Sequence, residues 1–228
     1  QLQARVPVAI FICPTRRKLQ VYPRQSANNA PYVNIIDPSP IIARSDYAAN
    51  SGSNYSDTTD GGANPNYDPM FDWSSESGTT NSKSQIATGV IYRASAVPMA
   101  WIKDGTSNTY LIGERYLCTD AYYNGLYADD DQGWDSGFNF DTQRGTGLGY
   151  VNLDSLSSAI PNLPSQDRPG LCGGMTNFGS SHPAGFHMAF CDGVVRKINY
   201  DIDPILHMQL GHRADGEPTQ LQQLEANK

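Results

Sequence analysis

A short alternating run near the end of the chain constrains the fold more than any other feature. In "FHMAFC", from Phe186 to Cys191, large apolar residues alternate with other residues, which is the period-2 pattern of a half-buried strand. Asp192 and Gly193 follow, and this pair is favoured at the positive-φ positions of a two-residue type I′ turn. The sequence "VVRKIN" after them can return as the partner strand. The pattern therefore predicts a β-hairpin within residues 182–199.

The composition favours a sheet-based domain with long loops. Of the 228 residues, 39% are hydrophobic and only 17% are charged, while Gly, Pro and Tyr are frequent. This composition suits turn-rich β structure better than a helical bundle. A short amphipathic helix is expected near the C-terminus, because Asp203 can cap it and Pro204 is tolerated at its first position. We predict one α+β domain over residues 1–228, with an antiparallel sheet, long loops and this helix.

Other strands are predicted from apolar runs that end at turn-forming residues. The sequence "DGTSNT" can be a hairpin turn or an N-terminal cap, and it leads into a strand that carries Leu111, Ile112 and Glu114. A proline ends the apolar run of residues 6–13, since proline cannot donate to a sheet ladder. The sequences "PYVNIID" and "GVIYRAS" supply two further predicted strands.

The charge and hydropathy of the chain exclude several classes of protein. A formal net charge of -7 and a pI near 4.9 argue against nucleic-acid binding, which needs a clustered positive surface. No run approaches ~18 consecutive apolar residues, so no segment of the sequence is predicted to span a membrane. The chain begins without Met and enters an apolar run almost at once, which indicates a fragment or a processed chain.

The four cysteines favour disulfides over a metal-binding motif. Cys13, Cys118, Cys172 and Cys191 have no CxxC spacing, so neither a zinc knuckle nor a thioredoxin-type motif is indicated. An even number of cysteines in a polar chain is compatible with disulfides in an oxidising compartment. Three pairings are possible, and the sequence does not choose among them.

Two long excursions interrupt the predicted sheet, over residues 45–83 and 120–145. Loops of this length inside a compact domain are usually functional, ion-stabilised or partner-bound. Calcium takes six to eight oxygens from flexible acidic loops, although neither excursion matches the EF-hand order. A solvated acidic face is the alternative interpretation. The predicted calcium ligands are Asp57, Asp60, Asp68, Asp129, Asp130 and Asp131.

Aromatic residues in the same excursions are candidate ligand platforms. Trp73 lies in the first excursion and Trp134 in the second. Because Trp and Tyr rings can stack on sugar faces, the loops predict a site for a solute or a polysaccharide. A glycosidase acid and base can be drawn from the same loops, but many Asp residues make such pairs easy to draw.

The candidate catalytic residues do not form a recognisable motif. Ser107, Ser180 and Ser181 lie outside any G-x-S-x-G sequence. His182 and His187 are five residues apart, so a single strand or helix cannot direct both rings at one metal ion. We therefore predict that the protein is not an enzyme. The expected role of His182 is to anchor a loop by hydrogen-bonding to backbone.

Six blocks of sequence occur in a distinctive order: "FICP", "SDYAANSG", "GVIYR", "IKDGTSNTYLIGER", "YADDDQGWDSGFNFDTQR" and "FGSSHPAGFHMAFCDGVVRKINYDID". Together they resemble a large bacterial family of prepilin-like proteins, which has an H-x9-DG domain of unknown function associated with prepilin processing. His182, nine further residues, Asp192 and Gly193 fit that signature without a gap. The residues that carry the signature and the neighbouring block are His182, Asp192, Gly193, Asp104, Gly105, Asn108 and Glu114.

The resemblance implies a non-catalytic structural subunit with a pilin-like or pseudopilin-like head. Its partners would be other copies or related pseudopilins, in a type IV pilus-like filament or a type II secretion pseudopilus. The implied location is extracellular or periplasmic, with membrane contact only through an N-terminal helix that is absent from this sequence. Family members also carry a solute-binding label, so an extracellular solute- or polysaccharide-binding module is the alternative. Related pseudopilins use Ca2+ in loops of the head, which agrees with the calcium prediction.

Overall fold

A five-stranded mixed sheet forms the centre of the fold. The predicted α+β class is confirmed, because mostly antiparallel strands combine with one short C-terminal helix. The computed structural model describes residues 3–24, 40–53, 88–92, 95–127, 129–137, 139–148, 160–172 and 176–216.

The strands and helices of the described residues are short. The strands are β1 (Tyr22–Pro23), β2 (Ile41–Ile42), β3 (Tyr47–Gly52), β4 (Tyr110–Glu114), β5 (Gln143–Gly145), β6 (Gly147–Leu148), β7 (Ile160–Pro161), β8 (Ser165–Gln166), β9 (Gly179–Ser180), β10 (Phe186–Phe190) and β11 (Val195–Ile198). The α-helix is α1 (Pro204–Gly211), and 3-10 turns cover Gln3–Arg5, Ala9–Phe11, Met99–Trp101, Thr106–Asn108 and Thr119–Ala121. None of the helices in these ranges is long and apolar enough to cross a membrane.

The central sheet has the strand order β11-β10-β4-β3-β5. Its first four strands are antiparallel neighbours, whereas β5 pairs with β3 in parallel. The register aligns Val195, Ala189, Ile112 and Ala49 in one row across these four strands. The row lies on the face of the sheet that is opposite the hydrophobic core.

The hydrophobic core lies between the other face of the sheet and helix α1. Phe186, Met188 and Phe190 of the alternating run are fully buried there, while His187 between them is exposed. Tyr110 of β4 packs edge-on against Phe190, with ring centroids 5.2 Å apart. The alternation therefore predicted both the strand and its buried face, because burial of apolar surface drives the packing. The other members of this core are Phe178, Ile198, Ile202, Leu206 and Leu210.

The hairpin is confirmed, but its turn is one residue longer than predicted. The Phe190 N–H donates to the Val194 carbonyl, and the Gly193 N–H donates to the Phe190 carbonyl, each at 2.9 Å. These bonds close a three-residue loop over residues 191–193, in which Gly193 has a φ of +85°. Such a loop combines a type I turn with one residue in the left-handed region, so it differs from a two-residue type I′ turn, which needs two positive-φ residues.

Helix α1 begins where the sequence predicts. The Asp203 side chain accepts a hydrogen bond from the Leu206 N–H at 2.9 Å, and Pro204 occupies the first turn. The consecutive residues Leu206, His207 and Met208 are all buried, so the helix is enclosed more fully than the predicted amphipathic helix. Burial lowers the pKa of His207 to about 3, and its ring is therefore neutral at neutral pH.

The predicted strand over residues 6–13 is wrong. This segment contains the 3-10 turn Ala9–Phe11, and Pro7 within it has no N–H to donate to a ladder. The turn leaves Ile10 78% exposed beside the central sheet.

Two other boundaries also differ from the prediction. "GVIYRAS" forms no strand in the described residues, although Gly89 and Ile91 donate to the carbonyls of Ser51 and Asn50. Strand β3 is already paired on both edges, so this segment cannot join the ladder fully. Strand β3 itself lies at the start of the predicted excursion over residues 45–83, and the sequence "PYVNIID" lies outside the described residues.

We expect Gly193→Ala to lower the free energy of unfolding by about 1 kcal/mol or more. No atom lies within 4 Å of the position that a Cβ would take, so the cost is backbone strain at positive φ. Urea denaturation measures the loss, with Lys197→Ala as a control at an exposed position of β11. Equal stabilities of the two variants would contradict the assigned turn.

Candidate functional site

The turn before β4 and the loop of the hairpin dock onto each other. The N–H of Cys191 donates to the Thr109 carbonyl at 2.9 Å, and the N–H of Asp192 donates to the Thr106 carbonyl at 3.1 Å. Arg196 of β11 adds a hydrogen bond to the Ser107 carbonyl at 3.1 Å. Two blocks that are far apart in sequence therefore form one structural unit at this end of the sheet.

Asp104, Gly105 and Asn108 act as framework for this unit. Asn108 Nδ2 donates to the Asp104 carbonyl at 2.9 Å, and Gly105 has a φ of +94°. The Asp104 carboxylate accepts the N–H groups of Asp215 and Gly216 at 2.9 and 3.0 Å. It thereby ties the segment after helix α1 to the turn before β4.

The other two signature residues, Glu114 and His182, meet at the opposite end of β4. The Glu114 side chain is only 2% exposed, and its Oε1 lies 3.5 Å from His182 Nε2. The same His182 nitrogen lies 3.8 Å from Cys13 Sγ. The N–H and Nδ1 of His187 lie 2.7 and 3.1 Å from Glu114 Oε2. We call Cys13, Glu114, His182 and His187 the Cys–Glu–His cluster.

The cluster corrects the predicted role of His182. Its ring approaches side chains rather than the backbone, because the end of β4 places Glu114 beneath the loop. The loop backbone is held instead by the Tyr200 hydroxyl, which donates to the carbonyls of Ser180 and His182 at 3.1 and 2.8 Å. Sequence reasoning missed Cys13 as a neighbour, since 169 positions separate it from His182 and no local pattern links them.

The sheet face opposite the core forms an apolar groove of about 520 Å3. Its floor is the row that contains Ile112, Ala189 and Val195, and its walls include Phe11 and Trp134. His187 also lines the groove, so the Cys–Glu–His cluster lies at its rim. The remaining lining residues are Ile10, Ser45, Tyr47, Ala48, Ala49, Thr142 and Gln143.

Trp134, the predicted ligand platform of the second excursion, is part of this groove. Its ring centroid lies 5.7 Å from that of Phe11, and its Nε1 donates to the Val6 carbonyl at 3.2 Å. The structure thus gives the residue a packing role and a place on an open apolar surface. Trp73, the other predicted platform, lies outside the described residues.

The acidic excursion over residues 120–145 is anchored by a buried ion-pair network. Asp130 Oδ2 lies 2.6 Å from Arg17 Nη1 and 2.9 Å from Arg44 Nη1. Asp130 Oδ1 accepts a hydrogen bond from Arg115 Nη2. All three arginine side chains are fully buried and the Asp130 side chain is 2% exposed. Three segments of the chain therefore converge on one carboxylate.

Two further carboxylates extend this network. Asp46 Oδ1 lies 2.7 Å from Arg17 Nε, and Asp167 Oδ2 lies 2.8 Å from Arg16 Nε. Arg16 also donates to the Arg115 carbonyl at 2.9 Å. The Arg16–Arg17 pair is thus buried among aspartates. We call these ion pairs around Asp46, Asp130 and Asp167 the arginine–aspartate network.

Burial alone would raise the pKa of the Asp130 carboxyl, but the charges of Arg17, Arg44 and Arg115 outweigh it. They hold the pKa well below its ordinary value, so the group stays ionised. A calcium ion at Asp130 would have to compete with three guanidinium groups for both oxygens. The neighbouring predicted ligands Asp129 and Asp131 are buried as well. Asp57, Asp60 and Asp68 lie outside the described residues, and Ca2+ binding there stays a prediction.

One disulfide joins Cys118 to Cys172, while Cys13 and Cys191 are free thiols. The Cys118–Cys172 bond belongs to one of the three pairings that the sequence left open, but the second bond of that pairing, Cys13–Cys191, is not formed. Burial raises the pKa of the Cys191 thiol to about 11, so Cys191 is a protonated, unreactive group at neutral pH.

A second group of potential ligands, Asp104, His212 and Asp215, also lies close together. Its polar atoms already serve the local fold, since Asp104 accepts two backbone N–H groups and His212 Nδ1 accepts the Ala214 N–H at 2.9 Å. We therefore assign this group to the framework of the turn.

The fold and the site define an α+β sheet domain, with an apolar groove on its open face and a Cys–Glu–His cluster at the rim. The chain belongs to the family described as "Protein of unknown function (DUF1559)", whose model matches residues 1–205. No curated protein matches the chain, and no solved structure matches it. The match agrees with the domain of unknown function to which the sequence blocks were compared. The prepilin-like role remains a prediction.

We expect Asp130→Asn to lower the free energy of unfolding by about 3 kcal/mol or more, because three buried guanidinium groups each lose a charged partner. Urea denaturation of the variant and of the wild type checks this. Asp201→Asn is the matched control, since Asp201 is exposed. A loss no larger than that of the control would contradict the structural role of the arginine–aspartate network.

Proposed function

We propose that this chain is the non-catalytic head domain of a pilin-like filament subunit, and that its open sheet face receives an apolar helix of the assembled filament. The observation that carries the proposal is the apolar groove on the five-stranded sheet. A sheet with one packed face and one apolar open face has a second hydrophobic surface to cover.

The exposure of the groove residues supports this role. Ile10 is 78% exposed, Val195 is 61% exposed and Ile112 is 40% exposed, although all three are apolar. Such side chains gain free energy when a partner removes them from water, at about 25 cal/mol per Å2 of apolar area. A helix with an apolar face is a partner of suitable shape, because its side chains can lie along the rows of a sheet.

Two further observations agree with a location outside the cytoplasm. The Cys118–Cys172 disulfide is the kind of bond that persists in oxidising compartments. The net charge of -7 favours a soluble exposed head over a nucleic-acid partner. The order of the sequence blocks that resemble prepilin-like proteins supplies the link to a filament.

The first test is the sequence of the gene upstream of the codon for Gln1. We expect a prepilin-type processing site followed by ~20 apolar residues, which is enough for a helix that spans a bilayer. An ordinary secretory signal with no such helix would contradict the filament proposal.

The second test disrupts the groove in the full-length protein. We expect Val195→Asp to abolish or strongly reduce filament assembly, since a charge on the floor of an apolar interface is costly to bury. Val194→Asp is the matched control, because Val194 is 48% exposed but does not line the groove. Assembly would be compared by electron microscopy and by sedimentation. Normal assembly of Val195→Asp would count against the groove as the contact surface.

The alternative is an extracellular solute- or polysaccharide-binding module that uses the same groove. A volume of about 520 Å3 lies within the range of small-molecule sites, and Trp134, Gln143 and His187 combine a ring platform with polar groups. A sugar and solute panel at a hundredfold excess over Kd should stabilise the protein by ~2.7 kcal/mol. Trp134→Ala should remove this gain, and Trp101→Ala, at an exposed site outside the groove lining, should retain it. A flat response across the panel would exclude this alternative.

A further inference from the structure

The Cys–Glu–His cluster contains three atoms that commonly bind transition metals. Cys13 Sγ, Glu114 Oε1 and His182 Nε2 belong to residues whose potential ligand atoms all lie within 4.8 Å of one another. Cys13 is 2% exposed and the Glu114 side chain is 2% exposed, whereas the His182 side chain is 32% exposed. The thiol and the carboxylate are therefore buried, whereas the imidazole that lies beside them is partly open to solvent.

The distance between the His182 imidazole and the Glu114 carboxylate is longer than that of a direct hydrogen bond. His182 Nε2 lies 3.5 Å from Glu114 Oε1, which is longer than an ordinary N–H···O bond of about 2.7–3.2 Å. It lies 3.8 Å from Cys13 Sγ. Two ligands that are each about 2.0–2.3 Å from a tetrahedral zinc ion lie about 3.5 Å apart. Two of the three edges of the triad, at 3.5 and 3.8 Å, are thus close to those of a tetrahedral site.

We propose that Cys13, Glu114 and His182 bind a zinc-class transition metal ion. Thiolate, imidazole and carboxylate together are typical of Zn2+ sites, whereas Ca2+ and Mg2+ require oxygen ligands. The site is therefore separate from the calcium predicted for the acidic loops. The metal site does not depend on which partner fills the groove. A failure of the filament proposal would therefore leave the metal proposal unaffected, and the reverse also holds.

Two of the three ligands, Glu114 and Cys13, are held in place by contacts outside the triad. Glu114 Oε2 accepts the His187 N–H at 2.7 Å, which leaves Oε1 directed at His182. The Cys13 N–H donates to Asp46 Oδ2 at 2.8 Å, and the Thr15 hydroxyl lies 3.1 Å from Cys13 Sγ. Such outer contacts fix the orientation of metal ligands and increase affinity.

A fourth ligand can come from beside the triad, where the ring of His187 lies. His187 lines the groove, and its ring centroid lies 5.3 Å from that of His182. A water molecule, or His187 after a change of rotamer, can complete a tetrahedral shell there. A ligand in the groove would then have access to the ion.

The proposed metal site gives His182, the histidine of the signature, a role as a ligand. The hairpin itself does not require this role. The loop backbone is already fixed by Tyr200 at the His182 carbonyl, and the turn of the hairpin closes through its own hydrogen bonds. The His182 ring is not needed for either contact. Its position between a buried thiol and a buried carboxylate is what the metal site explains.

The test is Co2+ and Zn2+ titration of the full chain after treatment with a chelator and under argon. We expect one Co2+ ion per chain, with a cobalt–thiolate charge-transfer band and the intense visible bands of tetrahedral Co2+. Zn2+ should displace the Co2+ and abolish these bands. The absence of a thiolate band at saturating Co2+ would overturn the proposal.

Matched variants assign the ligands. Cys13→Ser should remove the charge-transfer band and weaken binding by at least ~100-fold, the upper end of what loss of an outer contact costs. Cys191→Ser removes the other free thiol and should bind like the wild type. Loss of the band in Cys191→Ser, or its retention in Cys13→Ser, would overturn the assignment.

His182→Gln provides a second variant in case Cys13→Ser does not fold, since His182 is partly exposed. Circular dichroism would establish that it is folded, and its affinity for Co2+ should fall by at least ~10-fold. His212→Gln, which alters the second group of potential ligands, should leave the affinity unchanged. Equal affinities of His182→Gln and the wild type would contradict the proposed site.

Discussion

The ionised carboxylate of Asp130, buried among Arg17, Arg44 and Arg115, is the interaction on which the rest of the structure depends. Charges withdrawn from water are tolerated only when they are paired and hydrogen-bonded. The three arginines come from the N-terminal segment, from the approach to β3 and from the end of β4, so their pairing sets where these segments lie. The arginine–aspartate network fixes the positions of the segments on this side of the molecule, as the apolar core does on the other side. The long acidic loop is thereby part of the framework of the domain.

The central sheet separates two kinds of surface. Its inner face packs Phe186, Met188 and Phe190 under helix α1, and its outer face carries the apolar groove. The Cys–Glu–His cluster lies where the outer face meets the arginine–aspartate network, because Asp46 contacts both Arg17 and the Cys13 N–H. Asp46 thereby links the arginine–aspartate network to the backbone of Cys13. The proposed helix-binding surface is the groove, and the proposed metal site lies beside it at the rim.

Local patterns predicted much of the fold. The alternation from Phe186 to Phe190 indicated the strand and its buried face, since side chains of a strand alternate between two environments. Asp203 and Pro204 indicated the start of helix α1, because capping involves only neighbouring residues. The strand predicted over residues 6–13 failed for a different reason. Two of its apolar residues, Ile10 and Phe11, line the groove on the outer face, and hydrophobic periodicity does not distinguish such a contact from pairing within a sheet.

The candidate site was predictable only in part, because some of its residues lie far apart along the chain. The sequence by itself determined the hairpin, the capped helix, the turn that begins at Asp104 and the signature residues His182 and Glu114. Tertiary structure alone decided that Cys13 lies beside His182, that Asp130 pairs with arginines, and that Cys118 bonds with Cys172. Turns, helix caps and strand alternation depend on residues that are close in sequence, whose backbone and side chains interact directly. Ion pairs, disulfides and ligand clusters form between residues that only the folded chain brings together. One sequence is compatible with many such pairings, because it contains several Asp, Arg and Cys residues that could pair with one another.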